Sequence, residues 1–181
     1  MMSDVELHSL LESLAGEDAR ARQDALRALG QMGQDAVPKL SAVLKDDDWQ
    51  VRQQAAVALG LLGARAKAAV GALIDALQEK DKYLAAQAAV ALGKIGPEAR
   101  DAVPALCGAL KDREEDVRCA AAAALGQIGT HARTVVAELV NALKDDRRPV
   151  RRQAARALQQ IDAEEAARHL TLWDRVRLWF G

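Results

Sequence analysis

Apolar residues in this chain recur in columns 33 residues apart, and within each repeat they fall at helical spacing. Val37, Val70, Val103 and Val136 form one column, Leu40, Leu73, Leu106 and Leu139 a second, and Leu44, Leu77, Leu110 and Leu143 a third. Steps of three and four put all three columns on one side of an α-helix. A second helix follows a short acidic turn, opening at Ala21, Val51, Leu84, Val117 and Val150 and closing at Leu29, Leu59, Leu92, Leu125 and Leu158. Its stripe, read on Val51, Ala55, Ala58, Leu59 and Leu62, is again amphipathic. The turn carries Asp18, Asp48, Asp81 and Glu114 three residues before the first buried position of the second helix, where a carboxylate can cap free N–H groups; Arg147 breaks that column.

A single hairpin cannot cover its own apolar stripe, so hairpins must stack. The register gives one domain over 1–181 with repeats at about 3–33, 34–63, 64–96, 97–129 and 130–161, and a capping half-repeat over 162–181. The first repeat is three residues short between Gly33 and Val37, a deletion that falls in a connecting loop. At roughly 8–10 Å per packed layer the stack should be about 50 Å long and gently curved. Ser3 and Glu6 suit a capping box for a first helix bearing Val5, Leu7, Leu10, Leu11 and Leu14. Leu172 and Val176 continue the columns of Leu139 and Leu143, so the last segment reads as the first helix of a sixth repeat. Both ends then look finished. Trp179 and Phe180 lie past that register and are the candidates for a secondary contact such as self-association.

Composition narrows the picture from there. Half of the 181 residues are apolar but only 3% are aromatic, which leaves Ala and Leu to do the packing. A formal net charge of −1 gives no general pull toward nucleic acid or anionic membrane. Cys107 and Cys119 stand on different helices without CxxC spacing, which argues against a zinc site or disulfide framework and reads as reduced thiols. The N-terminus lacks the basic and apolar regions of a signal peptide, and no apolar run is expected to reach the roughly 18 residues of a membrane span. A cytoplasmic protein is the expectation.

The run Val51-Arg52-Gln53-Gln54-Ala55-Ala56-Val57-Ala58-Leu59-Gly60-Leu61-Leu62-Gly63, with Asp48 before it and Ala69-Val70 and Leu73 after it, resembles the HEAT-like repeats first noted in phycocyanobilin lyase subunits. Val117 to Gly129 and Val150 to Ile161 carry the same signature. The resemblance implies an all-α, right-handed α-solenoid of stacked antiparallel helix pairs, about five repeats plus a C-terminal capping helix. It also implies that the second helix of each pair lines the concave side. Four positions per repeat would then face the groove: Gln23, Asp24, Arg27 and Gln31; Gln53, Gln54, Val57 and Leu61; Ala86, Gln87, Val90 and Lys94; Cys119, Ala120, Ala123 and Gln127; Arg152, Gln153, Arg156 and Gln160. An apolar floor with a polar rim suits another protein or a peptide. Against this, no Trp, Tyr or Phe falls on these positions to serve as an anchor.

The leading reading is therefore a non-enzymatic scaffold or adaptor with no cofactor and no metal. The alternative, implied by the resemblance, is a subunit of a bilin (tetrapyrrole) lyase or chromophore-handling complex, with Cys119 as its thiol. Nucleic-acid binding ranks third, through Arg147, Arg148, Arg151, Arg152 and Arg156, although Asp145 and Asp146 stand beside them. Arg151 shares a column with Arg22, Arg52 and Arg118, which are expected to pair with turn carboxylates of neighbouring repeats. His8, His131 and His169 lie in different repeats and none precedes a Glu. No P-loop, GxSxG or dinucleotide fingerprint occurs.

Overall fold

The computed structural model describes residues 4–16 and 18–170. Among the described residues the chain is all-α: α1 (Asp4–Ala15), α2 (Ala19–Met32), α3 (Val37–Val43), α4 (Trp49–Leu62), α5 (Val70–Leu77), α6 (Lys82–Ile95), α7 (Val103–Ala109), α8 (Glu115–Ile128), α9 (Val136–Ala142), α10 (Arg148–Ile161) and α11 (Ala163–His169). Odd and even helices alternate in two layers. Leu40, Leu73, Leu106 and Leu139 of the odd layer are fully buried with Leu59, Leu92, Leu125 and Leu158 of the even layer, and no polar or charged residue is buried among the described residues. Val5 departs from its expected stripe and is exposed, because Leu7, Leu11 and Leu14 already cover the first pair. The Ser3 half of the capping box lies outside the described residues.

Caps set where the even helices begin and end. Asp18 accepts hydrogen bonds from the Arg20 and Ala21 N–H groups, Asp48 from Gln50, and Asp81 from Tyr83 and Leu84. Glu114 does not cap α8. Its extra methylene suits a reach outward, and its carboxylate pairs with Lys82 at 3.3 Å instead. Asp112 and Asp145 tighten the turns two residues earlier, accepting from the N–H groups of Glu114 and Arg147. At the other end Gly33, Gly63, Gly96 and Gly129 take φ between 55° and 75°, a conformation only glycine adopts at little cost. A 3-10 segment then leads into the next odd helix, four residues long after α2 and seven after α4, α6 and α8. The shortened first connection is the deletion visible in the sequence.

The equivalent position after α10 is Asp162, which stays extended at φ −152° and caps α11 by accepting the Glu165 N–H. The capping half-repeat thus opens as a true helix. Its continuation over 171–181, with Trp179 and Phe180, lies outside the described residues.

One apolar stretch needed the tertiary structure to interpret. Within Trp49–Leu77 a window of mean hydropathy 1.6 is long and apolar enough for a membrane span, contrary to the expectation from the sequence. The left-handed turn at Gly63 divides it into α4 and α5, and 44% of that window is buried inside the protein.

A second glycine column sets the spacing between layers. A Cβ on Gly60 would lie 3.1 Å from the Cα of Ala91; on Gly93 it would lie 2.9 Å from the Cα of Ala124, and on Gly126 2.9 Å from that of Ala157. Backbone meets backbone there, so α4, α6, α8 and α10 pack along their length while successive odd helices barely touch; at the first repeat α4 meets α1 more than α2. Of the two layers the even one is thus the more closely spaced from α4 onward. Gln159 stands in the same column on α10, so a further even helix could not approach α10 as closely. By contrast, a Cβ on Gly71 or Gly108 meets nothing within 4 Å. Replacing both with Ala is expected to raise stability by about 1 kcal/mol through helix propensity, read as a higher urea midpoint at unchanged slope.

Along the turn edge, arginines stitch the second repeat to the third and the fourth to the fifth. Arg52 donates to the carbonyls of Asp46 and Asp47 at 2.7 and 3.1 Å and pairs with Asp81 at 3.4 Å. Arg118 repeats this with the carbonyls of Asp112 and Arg113 and the carboxylate of Asp145 at 2.7 Å. Arg151 donates to the carbonyls of Asp145 and Asp146. Repeat three lacks the arginine, having Ala85, and Lys82 makes the link to Glu114.

Candidate functional site

The inner surface of the even helices shows an uneven distribution of side chains. On α4, Gln53, Gln54 and Val57 are half-buried and Leu61 is 50% exposed; on α6, Ala86 and Gln87 are half-buried, Val90 is 36% exposed and Lys94 is exposed. On α8, Cys119 and Ala123 are half-buried and Gln127 is exposed. Ala120 is buried with the core cluster, its methyl ending short where the longer Gln54, Gln87 and Gln153 emerge at the same register. On α10, Arg152 and Gln153 are half-buried while Arg156 and Gln160 are exposed. On α2, Asp24 and Arg27 pair at 3.1 Å and Gln31 is exposed; the side chains of Arg22 and Gln23 lie outside what the structure describes.

Two aromatic residues complete this surface, and the column reading missed both. Trp49 and Tyr83 open α4 and α6 and are 52% and 57% exposed. Trp49 precedes Gln53, Val57 and Leu61 by four, eight and twelve residues, and Tyr83 precedes Gln87 and Val90 by four and seven. Tyr83 therefore shares a helical face with the groove residues of α6, while Trp49 is next to Gln53 and one step round α4 toward the turn edge. The i, i+4, i+8 run was legible in the sequence. The 33-residue columns concealed it, since Trp49 aligns with Lys82, Glu115 and Arg148. Beneath this face Gln53 Nε2 is buried without an acceptor.

The HEAT repeats profile matches residues 7–79 and 70–135, well over half the chain. The chain belongs to the HEAT-repeat family. No curated protein sequence matches it significantly. Among solved structures, this HEAT-repeat chain is similar to the complex of CpcE and CpcF of phycocyanin lyase from Nostoc sp. PCC7120, at 22% identity and TM-score 0.70, over 86% of this chain and 99% of that one. It is similar to an engineered protein at 24% identity and TM-score 0.69, over 99% and 92%. A designed armadillo repeat protein in complex with the peptide (KR)4 matches at 19% identity and TM-score 0.65, over 96% of both chains. At these identities the likeness is one of fold.

Other candidates in the HEAT-repeat chain fare differently. Of the five C-terminal arginines, Arg147 pairs with Glu115 at 3.0 Å and Arg151 donates to its own turn carbonyls, so these two are engaged at the turn edge. Burial, reinforced by Asp116, Glu115 and Asp145, pushes the Cys119 thiol up, which disfavours the thiolate a nucleophile needs. Burial and Glu138 do the same to Cys107. Among the described residues no group of three His, Cys, Asp or Glu could hold a metal ion. A polar hollow of about 650 Å³ lies at the turn edge between the fourth and fifth repeats, walled by Asp112, which accepts the Glu114 N–H, and by Glu114, Arg118, Asp145 and Arg147, whose charges are engaged in inter-repeat links.

Proposed function

We propose that this protein is a non-enzymatic scaffold that binds another protein through the inner face of α4 and α6. One observation carries the reading. Five large apolar side chains stand exposed among the described residues, and four of them, Trp49, Leu61, Tyr83 and Val90, lie on these two helices. Clustered exposed apolar surface marks contact sites, and Trp and Tyr are the residue types that anchor them. Val57 links the cluster, with Gln53, Gln54, Gln87 and Lys94 as its polar border and Ala123, Gln127, Arg152 and Arg156 extending it. The peptide complex of the designed armadillo protein supports the use of such a stack for peptide recognition. The free thiols Cys107 and Cys119 suit a reducing compartment, and we assign the protein to the cytoplasm. A lyase-subunit role rests on fold alone, and the environment of Cys119 does not favour it.

Affinity capture from source-cell lysate tests the proposal, with wild type beside Val57→Glu/Val90→Glu. Burying two carboxylates at such a contact should weaken partner binding by tenfold or more, at unchanged helicity by circular dichroism. Retention of the same species on both proteins would rule the face out.

A further inference from the structure

Trp49 and Tyr83 are the aromatic residues of the described chain, and neither is used in the core. They open α4 and α6, on the first turn of each helix, and are 52% and 57% exposed. One layer further on, Asp116 holds the Tyr83 position on α8, 33 residues later, and is exposed. Three successive even helices thus begin with a ring, a ring and a carboxylate along one rim. The neighbouring acids are taken: Glu114 pairs with Lys82 at 3.3 Å and Glu115 with Arg147 at 3.0 Å. Asp116 makes no ion pair among the described residues. Lys82 Nζ also lies 5.3 Å from the centre of the Tyr83 ring, so a cationic ligand group is repelled at the second ring and received one layer on, at Asp116.

Spacing and hydrogen bonding select the kind of segment that suits this row. Packed layers stand roughly 8–10 Å apart. A polyproline II helix has three residues per turn at about 3.1 Å each, so side chains at i, i+3 and i+6 share one side at intervals of roughly 9 Å and keep step with the layers. In a β-strand the third residue points to the opposite side. An α-helix has its carbonyls bonded internally, whereas the polyproline II backbone leaves them free. Free carbonyls answer a need on this surface, because Gln53 Nε2 is buried without an acceptor, and Gln54 and Gln87 place further carboxamides at equal register on α4 and α6. Resting on the proposed use of this face, we infer that its occupant is a proline-rich segment in the polyproline II conformation. Prolines three residues apart lie on Trp49 and Tyr83, as in aromatic-lined grooves generally, and a lysine or arginine three residues from the second proline reaches Asp116.

The test is selection of a random peptide display library on the immobilised full chain, followed by affinity measurement of enriched peptides on wild type, Trp49→Ala, Tyr83→Ala, Asp116→Lys and Val57→Glu/Val90→Glu. Enrichment of peptides with two prolines three residues apart and a basic residue three further on is expected. Their affinity should fall about tenfold in Trp49→Ala and in Tyr83→Ala. It should fall severalfold in Asp116→Lys, and the basic residue's share should fade with added salt. All three side chains are exposed, so these variants should keep wild-type helicity by circular dichroism. Enrichment without proline, no enrichment, or proline peptides indifferent to both ring variants would overturn the inference. Proline peptides that bind Asp116→Lys as tightly as wild type would overturn the place given to the basic residue. Peptides without proline that lose binding in Val57→Glu/Val90→Glu would overturn the inference and leave the proposed face standing. Peptides indifferent to every variant would overturn both.

Discussion

Replacing Gly93 with leucine should destabilise the protein by about 3 kcal/mol or more and split its unfolding into two steps. The Cβ alone would stand 2.9 Å from the Cα of Ala124 and would collide with the Gln127 side chain. Gln127 can swing away, but the backbone of α8 cannot retreat without opening the interface between the third and fourth repeats. A stack of repeats is held by contacts between neighbours, so loosening one interface uncouples the two ends. Urea unfolding followed by circular dichroism should show a lower midpoint and either two transitions or a shallower slope. Gly71→Leu is the matched control, since nothing lies within 4 Å of a Cβ there, and it should leave the single transition in place. A cooperative transition at the wild-type midpoint in Gly93→Leu would mean that close helix approach does not set the layer spacing.

Arg118→Ala is expected to cost about 3 kcal/mol, more than any other charged residue on the turn edge. Its side chain and that of Asp145 are 13% and 11% exposed, and their nearest pairing is 2.7 Å. Removing the guanidinium strands a largely buried carboxylate and two turn carbonyls together. Arg52→Ala should cost about 1 kcal/mol by comparison, because its ion pair with Asp81 is longer and both side chains are over 20% exposed. Acidity probes the same link. Burial pushes the Asp145 carboxyl up, but hydrogen bonds from Arg118 and the Arg147 N–H outweigh it and hold the group below its ordinary range. Because the folded value is the lower one, its contribution is complete above the unfolded value of about 3.9. It is lost as pH falls through the folded value. The urea midpoint should therefore drop as pH falls below about 4, and it should drop less in Asp145→Asn.

Much of this architecture could be read directly from residue spacing. The even helices run where Val51, Leu84, Val117 and Val150 open them, and the connection after α2 is short where Gly33 and Val37 stand close. Local rules suffice for such features, since helical periodicity, carboxylate caps and glycine in the left-handed region act within a few residues. Chain length at the atomic scale already escaped that reading: Glu114 occupies a capping column yet reaches outward to Lys82, one methylene too long for the aspartate geometry.

The proposed binding face was legible only in part. Val57, Leu61 and Val90 followed from register, whereas Ala120 proved to be core and Trp49 and Tyr83 went unseen, because a column comparison rewards residues that recur. An anchor is by nature a residue that does not recur. The pattern of apolar residues by itself determined that the chain folds as a stack of helix pairs, since each stripe needs a neighbour to cover it. Only the tertiary structure decided which apolar residues were left over after that covering, and how closely the even helices stand. Exposure and approach distance are properties of two or more elements packed together, and no single helix encodes them.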